Sequence, residues 1–323
     1  MLSIIVCREA NMRTVQTVSG PVPLSALGHC QMHEHLFVLD TPAAKGNPAL
    51  RIDDWALSAR EAQDFFDAGG RSLVDAQPGG AGRDAAALQK ISRASGVHIV
   101  TVTGYHRPMF YPPDSFLFEQ DGDALYERFL LELAVGVADD GVRLPIRAGA
   151  VKAALGPEGP AGRDGALLRA AARAAAAGDV PLILHTEAGA GAVEAVKLCE
   201  RSGLDPCRVL VCHADRQASD FRPHEAIAKT GAFLEYDTIG RFRYHDDDEE
   251  VRLILHMLEL GHRDRLLLSL DTTAARLKRY GGEIGLTYLI EAFLPRIRAG
   301  GASPSDIEAI TRLNPILAFA GPK

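Results

Sequence analysis

The sequence predicts an α/β fold in which eight parallel strands, each followed by a helical segment, close into a (β/α)8 barrel of the TIM type. Three observations support this prediction. Short apolar runs alternate with longer helix-like runs along the chain. Eight of the short runs have the length of a buried strand. The 323 residues, 47% hydrophobic and 24% charged, suit one large core, because such a barrel takes about 250 residues before loop additions.

The predicted elements follow one another in a regular order. Residues 14–27 contain the turn signal Ser19-Gly20-Pro21, and we expect them to form a short N-terminal β-hairpin. The barrel strands are predicted within residues 28–36, 72–76, 98–104, 146–153, 181–186, 209–214, 232–237 and 266–271. Helical patterns lie between them at residues 83–95, 123–138, 163–177, 193–202 and 249–260. Closing helices are expected over residues 285–299 and 305–313, and Asn314-Pro315 begins a short terminal helix.

A single domain is expected over residues 13–323, because no linker or internal repeat divides them. The patterned sequence begins near Met12, and residues 1–12 are interpreted as a start-site or non-native extension. The acidic run at residues 246–250 is interpreted as a solvated helix N-terminus, where the helix dipole favours negative charge.

The charge and cysteine content exclude several classes of protein. A net charge of −7 and a pI near 5.9 give no electrostatic footprint for nucleic acid. No apolar run approaches the roughly 18 residues of a membrane span, and the N-terminus lacks the features of a signal peptide. Five cysteines are too few for a disulfide framework. We therefore expect a cytoplasmic protein with a small-molecule substrate, and a homodimer is left open. A structural zinc site at Cys207, Cys212 and His213 is an alternative that lacks a second ligand pair nearby.

The strongest local motif is Met32-His33-Glu34-His35-Leu36, at the end of the first predicted strand. Because side chains alternate along a strand, His33 and His35 point to the same side, toward the barrel mouth. Two imidazoles on one face can chelate a metal ion. Alone, such a pair also occurs as two unrelated histidines near a loop.

Four further strands end in a polar residue. Lys152 closes the fourth strand, His185 the fifth, His213 the sixth and Asp271 the eighth. The carboxyl ends of barrel strands are where barrel enzymes place their catalytic groups. One such residue is compatible with a structural role, but five strands that each end in a metal-competent group predict a metal centre.

Lys152 needs a separate explanation, because an ammonium group beside metal cations is strongly disfavoured. A neutral amine reacts with carbon dioxide to give a carbamate, whose two oxygens and negative charge suit a bridge between two metals. The alternative is a salt bridge between Lys152 and Asp271 with no metal present.

In order and spacing, these six residues resemble the metal ligands of the phosphotriesterase family of the amidohydrolase superfamily. The resemblance runs from about Arg13 to Ala320 and includes the stretches Thr103-Gly104-Tyr105, Val151-Lys152 and Asn314-Pro315. It implies a (β/α)8 barrel with two divalent ions. It further implies that His33, His35 and Asp271 hold a buried metal and that His185 and His213 hold an exposed one. Carbamylated Lys152 and a hydroxide would bridge the two.

The chemistry expected of such a centre is hydrolysis. Two divalent ions about 3.5–4 Å apart activate a water molecule and polarise the scissile group. Asp271 is predicted to be catalytic, accepting a proton and passing it to the leaving group. Zinc is favoured, and manganese, cobalt and iron also suit these ligands. The sequence contains neither a serine elbow nor a Walker loop, which excludes the corresponding serine-hydrolase and nucleotide-binding classes.

The loops that follow the strands suggest the substrate. They carry a cluster of cations, namely Arg107, Arg216, Arg241, Arg243, Arg276, Lys278 and Arg279. In a chain of negative net charge this cluster favours an anionic substrate, since arginine suits phosphate and carboxylate. The alternative is an ordinary solvated rim.

Four residues are candidates for substrate contact. Arg241 belongs to the cation cluster, and residues 271–282 resemble the phosphate-binding loop of family members that hydrolyse phosphorylated sugar lactones. That resemblance implies contacts from Arg276 and Tyr280. Tyr105 is predicted to orient a substrate carbonyl, with packing under a loop as the alternative.

The first functional hypothesis is a lactonase or carboxylic-ester hydrolase for a small, anionic or phosphorylated lactone. Family lactonases for uncharged acyl-homoserine lactones usually have an arginine after the seventh-strand aspartate. This chain has Asp237-Thr238 instead, which argues against those substrates. The alternatives are a phosphotriesterase and, in a different class, a non-catalytic metal-binding barrel, against which the complete ligand set argues.

Overall fold

The computed structural model describes residues 13–322, so the interpretation of residues 1–12 lies outside the described residues. The predicted barrel is confirmed by one eight-stranded parallel sheet, in the order β12-β11-β10-β9-β8-β5-β4-β3. Its strands are β3 (His29–Glu34), β4 (Gly70–Asp75), β5 (His98–Gly104), β8 (Ala150–Ala154), β9 (Leu182–His185), β10 (Val209–Cys212), β11 (Phe233–Tyr236) and β12 (Leu266–Leu268).

The first and last barrel strands meet through a buried side chain as well as through the backbone. Asp271 N donates to the carbonyl oxygen of His33 at 3.3 Å. Glu34 accepts from Leu270 N at 2.7 Å and from Thr272 Oγ1 at 2.9 Å. Both of its oxygens are therefore used to hold the segment after β12 against the end of β3. This contact closes the barrel beside His33 and His35.

The expected N-terminal hairpin is formed by β1 (Thr14–Thr17) and β2 (Gly20–Pro23), which pair antiparallel. Val15 and the following Leu24 and Leu27 pack into the core inside the barrel. The terminal helix adds Ile316 and Phe319 to the same cluster. Because these side chains fill the amino-terminal end of the barrel, the open end is the one at which the ligand candidates lie.

Helices cover the outside of the barrel and bury their apolar faces against it. They are α1 (Pro42–Gly46), α2 (Trp55–Asp67), α3 (Ala85–Ser95), α4 (Phe116–Glu119), α5 (Gly122–Ala134), α6 (Gly162–Gly178), α7 (Ala192–Arg201), α8 (Arg222–Ala228), α9 (Asp247–Glu259), α10 (Leu294–Ala299), α11 (Pro304–Glu308) and α12 (Asn314–Ala320). A two-residue hairpin, β6 (Ala138–Asp139) with β7 (Val142–Arg143), follows α5. It was not predicted, because two-residue strands carry almost no periodicity.

The closing helices are interrupted by widened turns at Leu289–Phe293 and Ala309–Leu313. Each widened turn lies just before a proline, Pro295 or Pro315. A proline has no N–H for the regular bond to the residue four positions earlier, so the helix rearranges there. The buried Asn314 amide donates to the carbonyls of Arg263 and Leu266 and ties α12 to the start of β12.

The acidic run at residues 246–250 does begin a helix, and Asp246 caps it by accepting from Glu249 N at 2.8 Å. The expectation of a fully solvated run is wrong, however, because Asp247 and Glu250 are buried. Within residues 13–322, no helix combines the length and apolar character that crossing a bilayer requires.

Candidate metal centre

The structure brings all six predicted ligand residues together at the carboxyl end of the barrel. His33 lies within β3, Lys152 within β8, and His185 ends β9, while His35, His213 and Asp271 lie just beyond their strands. The strands are parallel and in register, so their carboxyl ends lie side by side. Lys152, for example, pairs with Gly104 of β5 and with Ile183 of β9. His213 and Asp271 have positive φ angles of 65° and 47°, an unusual backbone state that often marks functional positions.

His33 and His213 are held by one buried carboxylate, Asp237. Its oxygens lie 2.8 Å from His33 Nδ1 and 2.7 Å from His213 Nδ1, and one of them also accepts from His213 N at 3.2 Å. Burial alone would raise the pKa of Asp237, but His213 and His33 hold it well below its ordinary value. Asp237 therefore stays charged, and it fixes both rings so that each Nε2 faces the cavity.

The ring nitrogens of His185 and His213, the predicted ligands of the exposed ion, already converge. His213 Nε2 lies 2.8 Å from His185 Nδ1. The outer nitrogen of His185 lies 3.1 Å from Glu187 Oε1, which parallels the contact of Asp237 with His213. Burial lowers the pKa of His185 to about 4 and that of His213 well below its ordinary value. Two neutral imidazoles whose lone pairs converge are suitable ligands for one cation.

Lys152 is fully buried at the floor of the centre. Its Nζ lies 3.0 Å from His33 Nε2. Burial lowers the pKa of its amine, which increases the neutral fraction needed for carbamate formation. A neutral amine between histidine ligands fits the predicted bridging role better than a charged ammonium does.

Asp271 faces His35 and His33, the other two predicted ligands of the buried ion. Its Oδ1 lies 3.3 Å from His35 Nε2 and 3.9 Å from His33 Nε2. His33, His35 and Asp271 form a group whose ligand atoms lie within 4.8 Å of one another. Burial alone would raise the pKa of Asp271, but Arg241, with a guanidinium nitrogen 3.0 Å from Oδ2, and His35 hold it well below its ordinary value. The donor types and their convergence therefore fit a divalent metal centre.

The centre opens into a cavity of about 300 Å³. Among the residues that line it are four arginines, Arg107, Arg216, Arg241 and Arg243. Glu187 lies between two of them: it forms an ion pair with Arg107, and Arg216 donates to its Oε2 at 3.1 Å. Apolar side chains also line this cavity, namely Val38, Leu50, Ile52, Met109 and Phe110.

The four predicted substrate-binding residues have different positions. Arg241 lines the cavity. Arg276 does not, because its buried guanidinium donates to backbone carbonyls, including Ile239 O at 2.6 Å and Asp271 O at 3.3 Å. The hydroxyl of Tyr280 donates to Asp54 O at 2.7 Å, outside the cavity, and Tyr105 is buried in the outer core. The structure therefore does not place Arg276, Tyr280 or Tyr105 along the cavity, and their predicted contact with substrate stays a prediction.

The cysteine alternative can be examined in the same way. Cys212 packs in the core inside the barrel, whereas Cys207 precedes the strand that Cys212 ends. The imidazole of His213 is directed to Asp237 and His185 instead. These three residues therefore do not surround a common point.

Asp237 and Glu187 were not predicted as parts of the site. A signal for Asp237 was present, because it follows the seventh strand directly and alternation places it on the inner face with Phe233 and Glu235. Glu187 lies two residues beyond His185, in a loop without periodicity. Only the folded loops show that it lies between His185 and two arginines.

Replacing Asp237 with asparagine is expected to weaken metal binding by about 10- to 100-fold, the range found for groups that orient ligand histidines. An amide presents an N–H to one of the two imidazoles and cannot hold both rings. Competition with a chromophoric chelator measures the change. Asp248→Asn, at an exposed position on α9, is the control, and equal affinities in both variants would remove the orienting role.

Comparison with known proteins places this geometry in a family. A sequence model of the phosphotriesterase family matches residues 13–319. A phospho-furanose lactonase from Mycoplasmopsis agalactiae is 27% identical, and the alignment covers 97% of this chain and 94% of that protein.

Comparison with solved structures leads to the same family. The crystal structure of a lactonase from Listeria monocytogenes superposes with a TM-score of 0.88 at 27% identity, covering 96% of this chain and 100% of that one. The phosphotriesterase homology protein from Escherichia coli, which has phosphate in its active site, gives a TM-score of 0.83 at 28% identity, covering 91% and 99%. The chain therefore belongs to the phosphotriesterase family of metal-dependent hydrolases.

Proposed function

We propose that this protein is a two-metal lactonase or carboxylic-ester hydrolase that acts on a small anionic lactone, such as a phosphorylated one. The observation that carries the proposal is the convergence of four histidines, Lys152 and Asp271 beneath a cavity that four arginines line. The lactonase relatives support the reaction type, and the phosphate in the active site of the Escherichia coli relative supports an anionic ligand.

Two divalent ions would be held by the predicted ligands. His33, His35 and Asp271 would hold the buried ion, His185 and His213 the exposed one, and Lys152 would bridge them as its carbamate. When bound, the ions supply an activated water molecule and polarise the carbonyl of the substrate. Zinc fits this set of nitrogen and oxygen donors, and manganese, cobalt and iron fit it as well.

The side chains then divide the remaining work. Asp271 lines the cavity beside the histidine ligands, and its carboxylate can take the proton of the attacking water and deliver it to the ring oxygen that leaves. Arg241, in contact with Asp271 Oδ2 at 3.0 Å, keeps that carboxylate charged before the reaction. Asp237 and Glu187 hold His213 and His185 in place.

The cationic and apolar side chains that line the cavity suit the two parts of such a substrate. The arginines can bind an anionic group, while Val38, Ile52 and Phe110 suit the carbon skeleton of a lactone ring. A charge-assisted contact of this kind contributes about 1.5–3 kcal/mol. Since Glu187 and Asp271 already pair with three of the arginines, only one or two of them should contribute that much.

Arg241→Ala is expected to reduce the preference for a phosphorylated lactone over its neutral analogue by about 10-fold or more, as the loss of one charged contact implies. The measurement is the ratio of the two kcat/KM values. Arg276→Ala is the matched control, because Arg276 contacts backbone carbonyls and not the cavity. It should lower Tm and leave the ratio unchanged. If wild-type enzyme hydrolyses both lactones equally well and neither substitution alters the ratio, the substrate is neutral.

Phosphotriester hydrolysis is the second candidate, because the family includes phosphotriesterases and the same activated water can attack phosphorus. A phosphotriester carries no negative charge for the arginines, so we expect it to be the weaker substrate. A parallel screen of lactones, with and without phosphate, and of a phosphotriester tests the order. Higher kcat/KM for the triester would reverse the assignment. The non-catalytic alternative predicts no turnover of any of them.

A further inference from the structure

A second cluster of side chains of the types that bind metals lies outside the catalytic cavity. Asp215 follows β10, His245 lies in the loop before α9, and Glu250 is on the first turn of α9. All three are buried, at 0%, 7% and 0% exposure. One ligand atom from each lies within 4.8 Å of the others. None of the three lines the catalytic cavity.

The hydrogen bonds of His245 orient its ring as they would in a metal ligand. Nδ1 lies 3.1 Å from the backbone carbonyl of Asp246, which can only accept a hydrogen bond. Nδ1 therefore carries a proton, which leaves Nε2 as the nitrogen that can present a lone pair to a metal ion. A ligand histidine typically donates its second N–H in this way to a carbonyl or carboxylate.

Nε2 faces a carboxyl group. His245 Nε2 lies 3.1 Å from Glu250 Oε2. It also lies 3.1 Å from Thr238 Oγ1, whose hydroxyl can donate to it. A lone pair and a carboxylate repel each other unless a proton or a cation lies between them. The separation is close to the roughly 3.3 Å that two ligands span around a tetrahedral ion with bonds of about 2.0–2.1 Å.

The carboxylates have free oxygens in the same place. Asp215 accepts from Thr238 N at 2.6 Å through Oδ2, but its Oδ1 has no hydrogen-bond partner within residues 13–322. Neither oxygen of Glu250 has one there either. Three of the four carboxylate oxygens therefore lack a hydrogen-bond donor, which is costly for buried groups that carry charge, because a buried charge needs a compensating partner. Within residues 13–322, the only ion pair of either carboxylate is the one between Glu250 and His245.

We propose that Asp215, His245 and Glu250 hold a divalent cation of the zinc class, separate from the catalytic centre. One imidazole nitrogen and two carboxylate oxygens suit zinc, manganese or iron better than magnesium or calcium, which prefer all-oxygen sites. Thr238 Oγ1 or a water molecule would complete the coordination.

The cation would stabilise the loop between β11 and α9 from outside the catalytic cavity. That loop carries Arg241, Arg243 and Tyr244 along the cavity, and His245 follows them directly. The cluster joins this loop to α9 and to the segment after β10, so the ion would act structurally and not in the reaction.

The test is metal content measured on the full-length protein grown in zinc-supplemented medium. Glu250→Gln keeps the volume of the side chain but removes the charge, and we expect it to bind one equivalent less metal than wild type. Added zinc should also raise the Tm of Glu250→Gln less than it raises the Tm of wild type. Glu259→Gln, at an exposed position on the same helix, is the matched control and should retain wild-type metal content. This comparison stands even if the catalytic centre binds less metal than proposed, because it measures a difference between proteins.

Equal metal content in wild type and Glu250→Gln would overturn the proposal and show that a proton, carried by His245 or a carboxylate, neutralises the cluster. Should Glu250→Gln fail to fold, anomalous diffraction at the zinc edge from wild-type crystals gives the answer without a variant. A peak among Asp215, His245 and Glu250 supports the site. Peaks at the catalytic centre with none at this cluster refute it.

Discussion

Lys152→Ala is expected to abolish catalysis almost completely, with kcat/KM reduced by about 10³-fold or more, equivalent to about 4 kcal/mol of transition-state stabilisation. Lys152 is fully buried beside His33, and it is the one side chain proposed to bridge the two ions. Its removal should lower both metal content and turnover. Steady-state kinetics and elemental analysis of the same preparation measure the two effects.

Chemical rescue distinguishes a lost ligand from a damaged fold. A short carboxylate such as acetate or propionate can enter the space left by the side chain and supply two oxygens in place of the carbamate. We expect partial recovery of both metal and activity on its addition. Lys152→Met, which retains most of the volume without an amine, should be equally inactive but rescued less well because the space stays filled. Full metal content and normal kcat/KM in Lys152→Ala would contradict the bridging role.

Asp271→Asn is expected to reduce kcat by about 10²- to 10⁴-fold, the usual range for a positioned proton-transfer group, and to change KM little. The amide keeps the shape of the side chain but cannot accept the proton of the attacking water. It also loses the charge that pairs with Arg241 at 3.0 Å. The expected pattern is therefore a loss in turnover larger than any loss in metal affinity.

Two measurements separate these effects. Kinetics in saturating zinc remove the contribution of weakened metal binding, and we expect the loss in kcat to persist there. Asp248→Asn, exposed on α9, provides a control for the same chemical change elsewhere. If saturating zinc restores wild-type kcat to Asp271→Asn, Asp271 is a ligand alone and another group transfers the proton.

The sequence predicted the barrel and the six converging residues because both follow from strand patterns. Lys152, His185 and Asp271 each follow an apolar run, and parallel strands carry such residues to one edge whatever the loops do. Residues in loops are different, because a loop has no period from which a side-chain direction can be inferred. Arg276 and Arg241 looked equivalent as sequence, yet one is directed to backbone carbonyls and the other to the cavity.

The acidic run on α9 shows how a stronger pattern can be overlooked. Asp247, Glu250, Val251 and Ile254 are spaced three, one and three residues apart, which is the period of one helix face. Because the two apolar members of this face are buried, the two acidic members are buried as well. A count of charges suggests a solvated surface, whereas the helical period indicates buried carboxylates that require partners. Tyr288 and Arg296 partner Asp247, while the partner of Glu250 is the proposed ion.

The most direct test of the central proposal is the hydrolysis of a phosphorylated lactone by metal-free enzyme, verified by elemental analysis, to which zinc and bicarbonate are added separately and together. Bicarbonate supplies the carbon dioxide that the Lys152 carbamate requires. The predicted result is negligible activity without metal and full activity only when zinc and bicarbonate are both present. Unchanged hydrolysis of the lactone by the metal-free enzyme would contradict the account.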